Sequence, residues 1–105
     1  MDIKDYQLFI SEFYKERDWY NYGPFIRANF LNEEVGEVSR AIRDLEIGRD
    51  RPDEIEETPE AKLANLIEEL GDVLDNVFII ADKYEISLET IMVNHQAKLL
   101  SRYKK

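Results

Sequence analysis

The sequence predicts an all-α fold, built as a four-helix bundle-like domain. Apolar residues recur at intervals of three and four in four long segments, which is the spacing of one face of an α-helix. Only 4 Gly and 3 Pro interrupt 105 residues, and no segment alternates as a strand would. A chain of this length fits one domain, so we expect residues 1–105 to form a single domain.

The first two helices combine an apolar stripe with residues suited to helix ends. The first is predicted over residues 2–17, and a linker at 18–23 follows it. The second is predicted over residues 24–46, because Pro24 suits a first helical position and Gly48 suits a C-terminal stop. The apolar stripes are Ile3, Tyr6, Phe9, Ile10 and Phe13, then Leu31, Val35, Val38, Ile42 and Leu45.

The last two helices follow an acidic loop at residues 49–58. Thr58 is a suitable N-cap for a third helix over residues 59–84, and Ser87 for a fourth that continues to Tyr103. The composition of the loop favours a disordered connector over a lid. The third helix carries a long apolar stripe of Leu63, Leu66, Ile67, Leu70, Leu74, Val77 and Ala81.

The charge balance restricts the kinds of partner. The chain has 14 Lys+Arg against 23 Asp+Glu, a formal net charge of −9. Such a chain is poorly suited to bind nucleic-acid polymers or anionic membranes through charge. With no Cys, no signal-peptide pattern and no long apolar run, we expect a soluble cytoplasmic protein without disulfides.

Two acidic groups lie inside helices rather than in loops. They are EEVGE at residues 33–37 and EELGD at residues 68–72. At about 100° per residue, Glu34 borders the apolar stripe of the second helix. Glu37 lies one step further out, and Glu33 faces away. The alternative for one such group alone is an ordinary solvated helix face.

The third helix carries a matching polar strip. Glu69, Asp72 and Asn76 share it, and each helix offers a carboxylate pair three residues apart. If the two helices pack together, four carboxylates can converge, and their repulsion favours a divalent cation. Oxygen ligands prefer Mg²⁺ first and Mn²⁺ second. The predicted metal ligands are Glu34, Glu37, Glu69 and Asp72.

The fourth helix supplies positive charge. Asn94, Lys98 and Arg102 recur every four residues and form a ridge suited to phosphate oxygens. The alternative is a C-terminal helix whose cations complement its dipole. His95 lies on the apolar side, where we expect a partly buried core residue.

These motifs resemble the MazG-like all-α nucleoside triphosphate pyrophosphohydrolases. That family carries E-E-x-x-E on one helix and E-x-x-D on a later one, as at residues 33–37 and 69–72 here. The contexts ERDWYNYGPFIRANFLNEEVGEVSRAI and EELGDVLDNVFIIADKYEISLETI are also similar, as is the closing NHQAKLLSRY. The resemblance covers about residues 5–103.

The resemblance implies hydrolysis of a (deoxy)nucleoside triphosphate to a nucleoside monophosphate and pyrophosphate, for house-cleaning or control of nucleotide pools. It implies Mg²⁺ on the four carboxylates, with Glu33 and Glu34 catalytic and Lys98 stabilising the departing pyrophosphate. It places Trp19 near the base, and the phosphates near Asn94, Lys98 and Arg102.

Two further expectations concern partners and the amide of Asn76. Because Asn76 shares the metal-facing strip, it could bond the substrate or a ligand water. The resemblance implies a homodimer or homotetramer, and the wide apolar arcs of the helices agree with one.

Two alternatives stay open. A phosphoribosyl-ATP pyrophosphohydrolase would share the carboxylate arrangement. A non-enzymatic acidic helical interaction module would instead spread its acids over one exposed face, whereas a metal site requires them to converge.

Overall fold

A computed structural model describes residues 1–49 and 51–104 of the chain, and over these residues it contains four α-helices and no strand. The all-α prediction is confirmed, and the predicted helix ends agree to within one residue. Asp50, in the predicted loop, lies outside the described residues. The helices are α1 (Ile3–Glu16), α2 (Pro24–Glu46), α3 (Pro59–Lys83) and α4 (Leu88–Arg102).

Side-chain caps explain why three of the helices begin where they do. Asp2 is extended, and its Oδ1 accepts from the backbone N–H of Asp5 at 2.8 Å. Ser87 caps α4 in the same way, accepting from the N–H of Thr90 at 3.1 Å. Thr58 accepts from the N–H three residues further on at 3.2 Å. Each bond satisfies a donor that the first helical turn leaves open.

The chain divides into two compact units. The first, Met1–Pro24 with Val77–Lys105, holds α1, the end of α3 and α4, and the second, Phe25–Asn76, holds α2 and most of α3. That residues 1–105 form a single domain stays a prediction. The core of the first unit consists of Ile10, Phe78, Ile79, Ala81 and Leu88.

A polar network in the first unit holds the linker between α1 and α2. Asp82 Oδ2 accepts from Ser11 Oγ and from the Tyr20 hydroxyl, both at 2.8 Å. The Lys83 ammonium donates to the backbone oxygen of Tyr20 and lies 4.2 Å from its ring centroid. Burial, together with the hydrogen bond to Asp82, raises the pKa of Tyr20 to about 12. Trp19 therefore sits beside a firmly anchored neighbour.

The loop of the second unit is organised around one carboxylate. Gly48 turns the chain out of α2 at a φ of 97°, in the left-handed region that glycine tolerates. Glu56 Oε2 accepts from the backbone N–H of Arg49 at 2.8 Å, and its Oε1 accepts from the Lys62 ammonium. These bonds lower the pKa of Glu56. The described loop residues thus make specific contacts that composition alone did not indicate.

Much of the apolar surface of α3 and α4 is not covered by residues 1–49 and 51–104, which the structure describes. The predicted α3 stripe is left exposed over Leu63, Ile67, Leu70 and Leu74, whose exposed fractions run from 46% to 64%. On α4 only Leu88 is buried, and the expectation that His95 is partly buried is wrong because nothing described covers that side of the helix. None of the described helices has the length and apolar character needed to cross a bilayer.

Candidate metal and catalytic site

Three acidic side chains of the second unit converge. Glu34 on α2 and Glu69 and Asp72 on α3 each offer a carboxylate oxygen, and these oxygens lie within 4.8 Å of one another. Glu69 and Asp72 project together because they lie three residues apart on one helix. All three side chains are half-buried. The structure thus brings together three of the four predicted metal ligands.

Partial burial and mutual proximity shift the pKa values of two of these acids in the direction expected for crowded anions. Partial burial raises the pKa of Glu34, and the charges of Asp72 and Glu69 raise it further. Burial and the neighbouring charges also raise the pKa of Glu69, while a hydrogen bond with Glu34 opposes the shift. The ionised cluster is therefore unfavourable on its own, and a bound cation would relieve the repulsion.

The other two acids of the first motif lie outside this group. The Glu37 carboxylate is 3.8 Å from the Arg40 guanidinium and about half exposed, but its charge still raises the pKa of Glu69. Glu33 is exposed, as helical phase predicted. Glu37 as a metal ligand and Glu33 as a catalytic residue stay predictions.

Asn76 is buried and its amide is engaged at both ends. Its Oδ1 accepts from Arg27 Nη1 at 3.1 Å, and its Nδ2 donates to the Asp72 backbone oxygen at 2.9 Å. A contact between Asn76 and substrate stays a prediction. Sequence reasoning missed Arg27, although a signal existed: it lies four residues before Leu31, within the apolar stripe of α2.

The remaining predicted site residues belong to the first unit. Trp19 is 45% exposed and meets Tyr14 edge-on, with ring centroids 5.5 Å apart. This contact leaves part of the indole accessible. The roles of these residues toward substrate stay predictions. Three of them are exposed on α4: Asn94, Lys98 and Arg102.

The arrangement of the acids separates two of the open interpretations. An interaction module would spread its carboxylates over an exposed face. Glu34, Glu69 and Asp72 instead converge from two helices and are half-buried. That geometry favours a site for a divalent cation, and through it for phosphate oxygens.

Known proteins resemble this chain in sequence and in fold. Over 104 residues the chain is 51% identical to the uncharacterized protein YvdC of Bacillus subtilis strain 168, covering 99% of this chain and 98% of YvdC. A crystal structure of YPJD from Bacillus subtilis, described there as a candidate pyrophosphatase, matches with a TM-score of 0.67 over 100% of this chain and 97% of that one. The two are 22% identical, so this likeness shows the fold alone. Residues 27–105 match the MazG nucleotide pyrophosphohydrolase domain. The chain therefore belongs to the MazG nucleotide pyrophosphohydrolase family.

Proposed function

We propose that this chain is a Mg²⁺-dependent nucleoside triphosphate pyrophosphohydrolase. Water would break the anhydride bond between the α and β phosphates of a (deoxy)nucleoside triphosphate, giving a nucleoside monophosphate and pyrophosphate. Membership of the family supports nucleotide pyrophosphohydrolysis in general. The observation that carries the proposal is the convergence of Glu34, Glu69 and Asp72 in a half-buried cluster.

The donor set fits a hard divalent cation. It consists of carboxylate oxygens alone, and burial together with the charges of neighbouring acids raises the pKa values of Glu34 and Glu69. Glu34, Glu69 and Asp72 would hold the ion, with Glu37 as a further ligand once it leaves Arg40. A bound Mg²⁺ would supply positive charge to the phosphate oxygens and make a nearby water more acidic. Mn²⁺ is the expected substitute.

The other residues divide the remaining tasks in our proposal. The Glu33 carboxylate would accept the proton of the attacking water, a role suggested by its position in the EEVGE motif. Lys98, with Asn94 and Arg102, would bind phosphate and stabilise the negative charge of the departing pyrophosphate. Trp19 would stack on the base, for which its exposed indole is suited.

We also propose that the active form is a homodimer or homotetramer. The exposed stripe of α3 and the apolar residues of α4, including Leu99 and Leu100, support this assembly. A second copy would remove these side chains from water. Size-exclusion chromatography with light scattering would measure the mass, and a monomer at all concentrations would contradict this part of the proposal.

The test of the function is an assay for pyrophosphate and monophosphate release. A panel of ribo- and deoxyribonucleoside triphosphates is incubated with the protein, with and without Mg²⁺. We expect equimolar products from at least one nucleotide and no turnover in EDTA. Asp72→Asn should lose at least about 100-fold in kcat, whereas Glu12→Gln, an equal charge change on α1, should keep wild-type turnover. Absence of turnover on every nucleotide, with no stabilisation by Mg²⁺, would exclude the proposed enzyme.

A further inference from the structure

Arg27 and Asn76 form a buried polar pair that the proposed chemistry leaves unexplained. Their side chains meet at 3.1 Å, and the residues are 5% and 4% exposed. The Arg27 guanidinium also lies 5.0 Å from the ring centroid of Phe30. Apolar side chains of similar volume are often at least as stabilising in such a place. Stability is therefore a weak reason for this pair, and specifying one arrangement of the helices is a stronger one.

The position of the pair links it to the carboxylates. Seven residues after Arg27 on α2 comes Glu34, and seven residues before Asn76 on α3 comes Glu69. Seven residues are about two helical turns, so each polar residue shares a helix face with a carboxylate. From Arg27 to Glu34 the residue number rises along α2, while the number of the contacted residue falls from Asn76 to Glu69 along α3. The two helices are therefore antiparallel here. The register that pairs Arg27 with Asn76 is thus the register that pairs Glu34 with Glu69.

An apolar stripe alone would define the register of these helices less strictly than the polar pair does. Leu31, Val38 and Leu45 could meet other apolar residues after a shift of one turn. The same shift would place Glu34 opposite Asn65 or Val73 and would separate the carboxylates. A buried donor and acceptor tolerate no such shift, because each would lose its hydrogen bond without access to water.

We propose that Arg27 and Asn76 are positioning residues that set the register of α2 against α3, so that Glu34 lies opposite Glu69 and Asp72. The proposal rests on the proposed function for its catalytic meaning, but the register can be measured without it. The second bond of Asn76, to the Asp72 backbone oxygen, ties the same amide to the turn that carries a carboxylate. Asn76 then acts through these neighbours and does not need to touch substrate.

Disulfide formation reports the register directly, because the chain has no cysteine of its own. The proposed register places Val38 near Leu66, and Leu70 lies one turn further along α3. Val38→Cys with Leu66→Cys should therefore cross-link at least about 10-fold faster than Val38→Cys with Leu70→Cys, since disulfides need closely placed Cα atoms. Each pair is then measured with Arg27→Met and Asn76→Leu added.

We expect the double substitution Arg27→Met with Asn76→Leu to keep a cooperative thermal transition, to reduce the cross-linking preference to within about 2-fold, and to lower kcat at least about 10-fold. An unchanged preference, or a wild-type kcat, would overturn the proposal. If the double variant does not unfold cooperatively, Asn76→Asp is compared with Asn76→Leu. Asp still offers an acceptor to Arg27 and should retain the preference, and equal behaviour of the two would also overturn it.

The two proposals fail in different ways. A wild-type chain that shows the preference but hydrolyses no nucleotide supports the register and contradicts the function. An active wild-type chain whose preference and kcat survive the double substitution contradicts the register alone.

Discussion

Replacing Glu34 with Gln should make the metal-free protein more stable while abolishing its response to Mg²⁺. The change removes the repulsion of Glu34 with Glu69 and with Asp72, whose oxygens lie within 4.8 Å. At that distance one pair of unit charges repels by about 0.9 kcal/mol in bulk water and by about 3.5 kcal/mol at an effective dielectric constant of about 20. The cluster is half-buried and open to water, so we discount toward the lower figure. We expect a gain of about 1–2 kcal/mol, or about 5–10 °C in Tm for a chain of this size.

The assay is thermal unfolding followed by circular dichroism in EDTA, with and without excess Mg²⁺. Wild-type protein should gain Tm on adding Mg²⁺ because the ion binds the folded state, and Glu34→Gln should gain little. Glu12→Gln carries an equal charge change away from the cluster and should follow the wild type. A lower Tm for Glu34→Gln in EDTA, or equal stabilisation of both proteins by Mg²⁺, would refute the assignment of a metal site to these carboxylates.

Three further predictions follow from described contacts. The pKa of Glu34 is raised in the folded state, so its contribution to stability is present at acid pH and is lost as pH rises through the folded-state pKa. In EDTA, the Tm of the wild type should therefore fall more between pH 5 and pH 7 than the Tm of Glu34→Gln. Parallel curves of Tm against pH for the two proteins would contradict the raised pKa. Tyr20→Phe removes a hydrogen bond to Asp82 and should lower the free energy of unfolding by about 1–2 kcal/mol at pH 7. This difference should shrink from pH 10 to about 12, because the Tyr20 hydroxyl of the wild type loses its proton there. A Tm equal to that of the wild type at pH 7 would argue against this anchor. Gly48→Ala should lower the Tm by several degrees, because Gly48 has a φ of 97° and an added Cβ would lie 3.2 Å from Glu56 Oε1. Gly71→Ala, whose added Cβ would meet nothing within 4 Å, should raise the Tm slightly. The reverse order of the two Tm changes would refute the assigned strain.

Local chemistry accounts for what the sequence predicted well. Thr58 and Ser87 mark helix starts because capping depends on neighbours within a few residues. The convergence of Glu34 with Glu69 and Asp72 also follows from helical phase once the two helices are assumed to pack.

Periodicity alone could not predict which apolar side chains are buried. The wide apolar arcs agreed with exposed apolar surface, and the structure shows where part of it lies: the polar strip with Asn76 faces α2, and residues such as Ile67 are exposed. A hydrophobic pattern gives the width of an apolar face and does not say which part is covered within the chain. Arg27 escaped notice because its long side chain pairs with a residue 49 positions away.

The antiparallel alignment of α2 and α3 has a consequence for insertions and deletions. The loop at residues 49–58 joins the two helices at the end away from Arg27 and Asn76, so changing its length leaves the alignment of the carboxylates intact. Doubling a flexible loop costs only about 0.6 kcal/mol in closure entropy. One residue inserted between Arg27 and Glu34 would instead turn the carboxylate by about 100° around its helix. Natural variation in length should therefore gather in the loop, which makes it the suitable place to insert a reporter sequence.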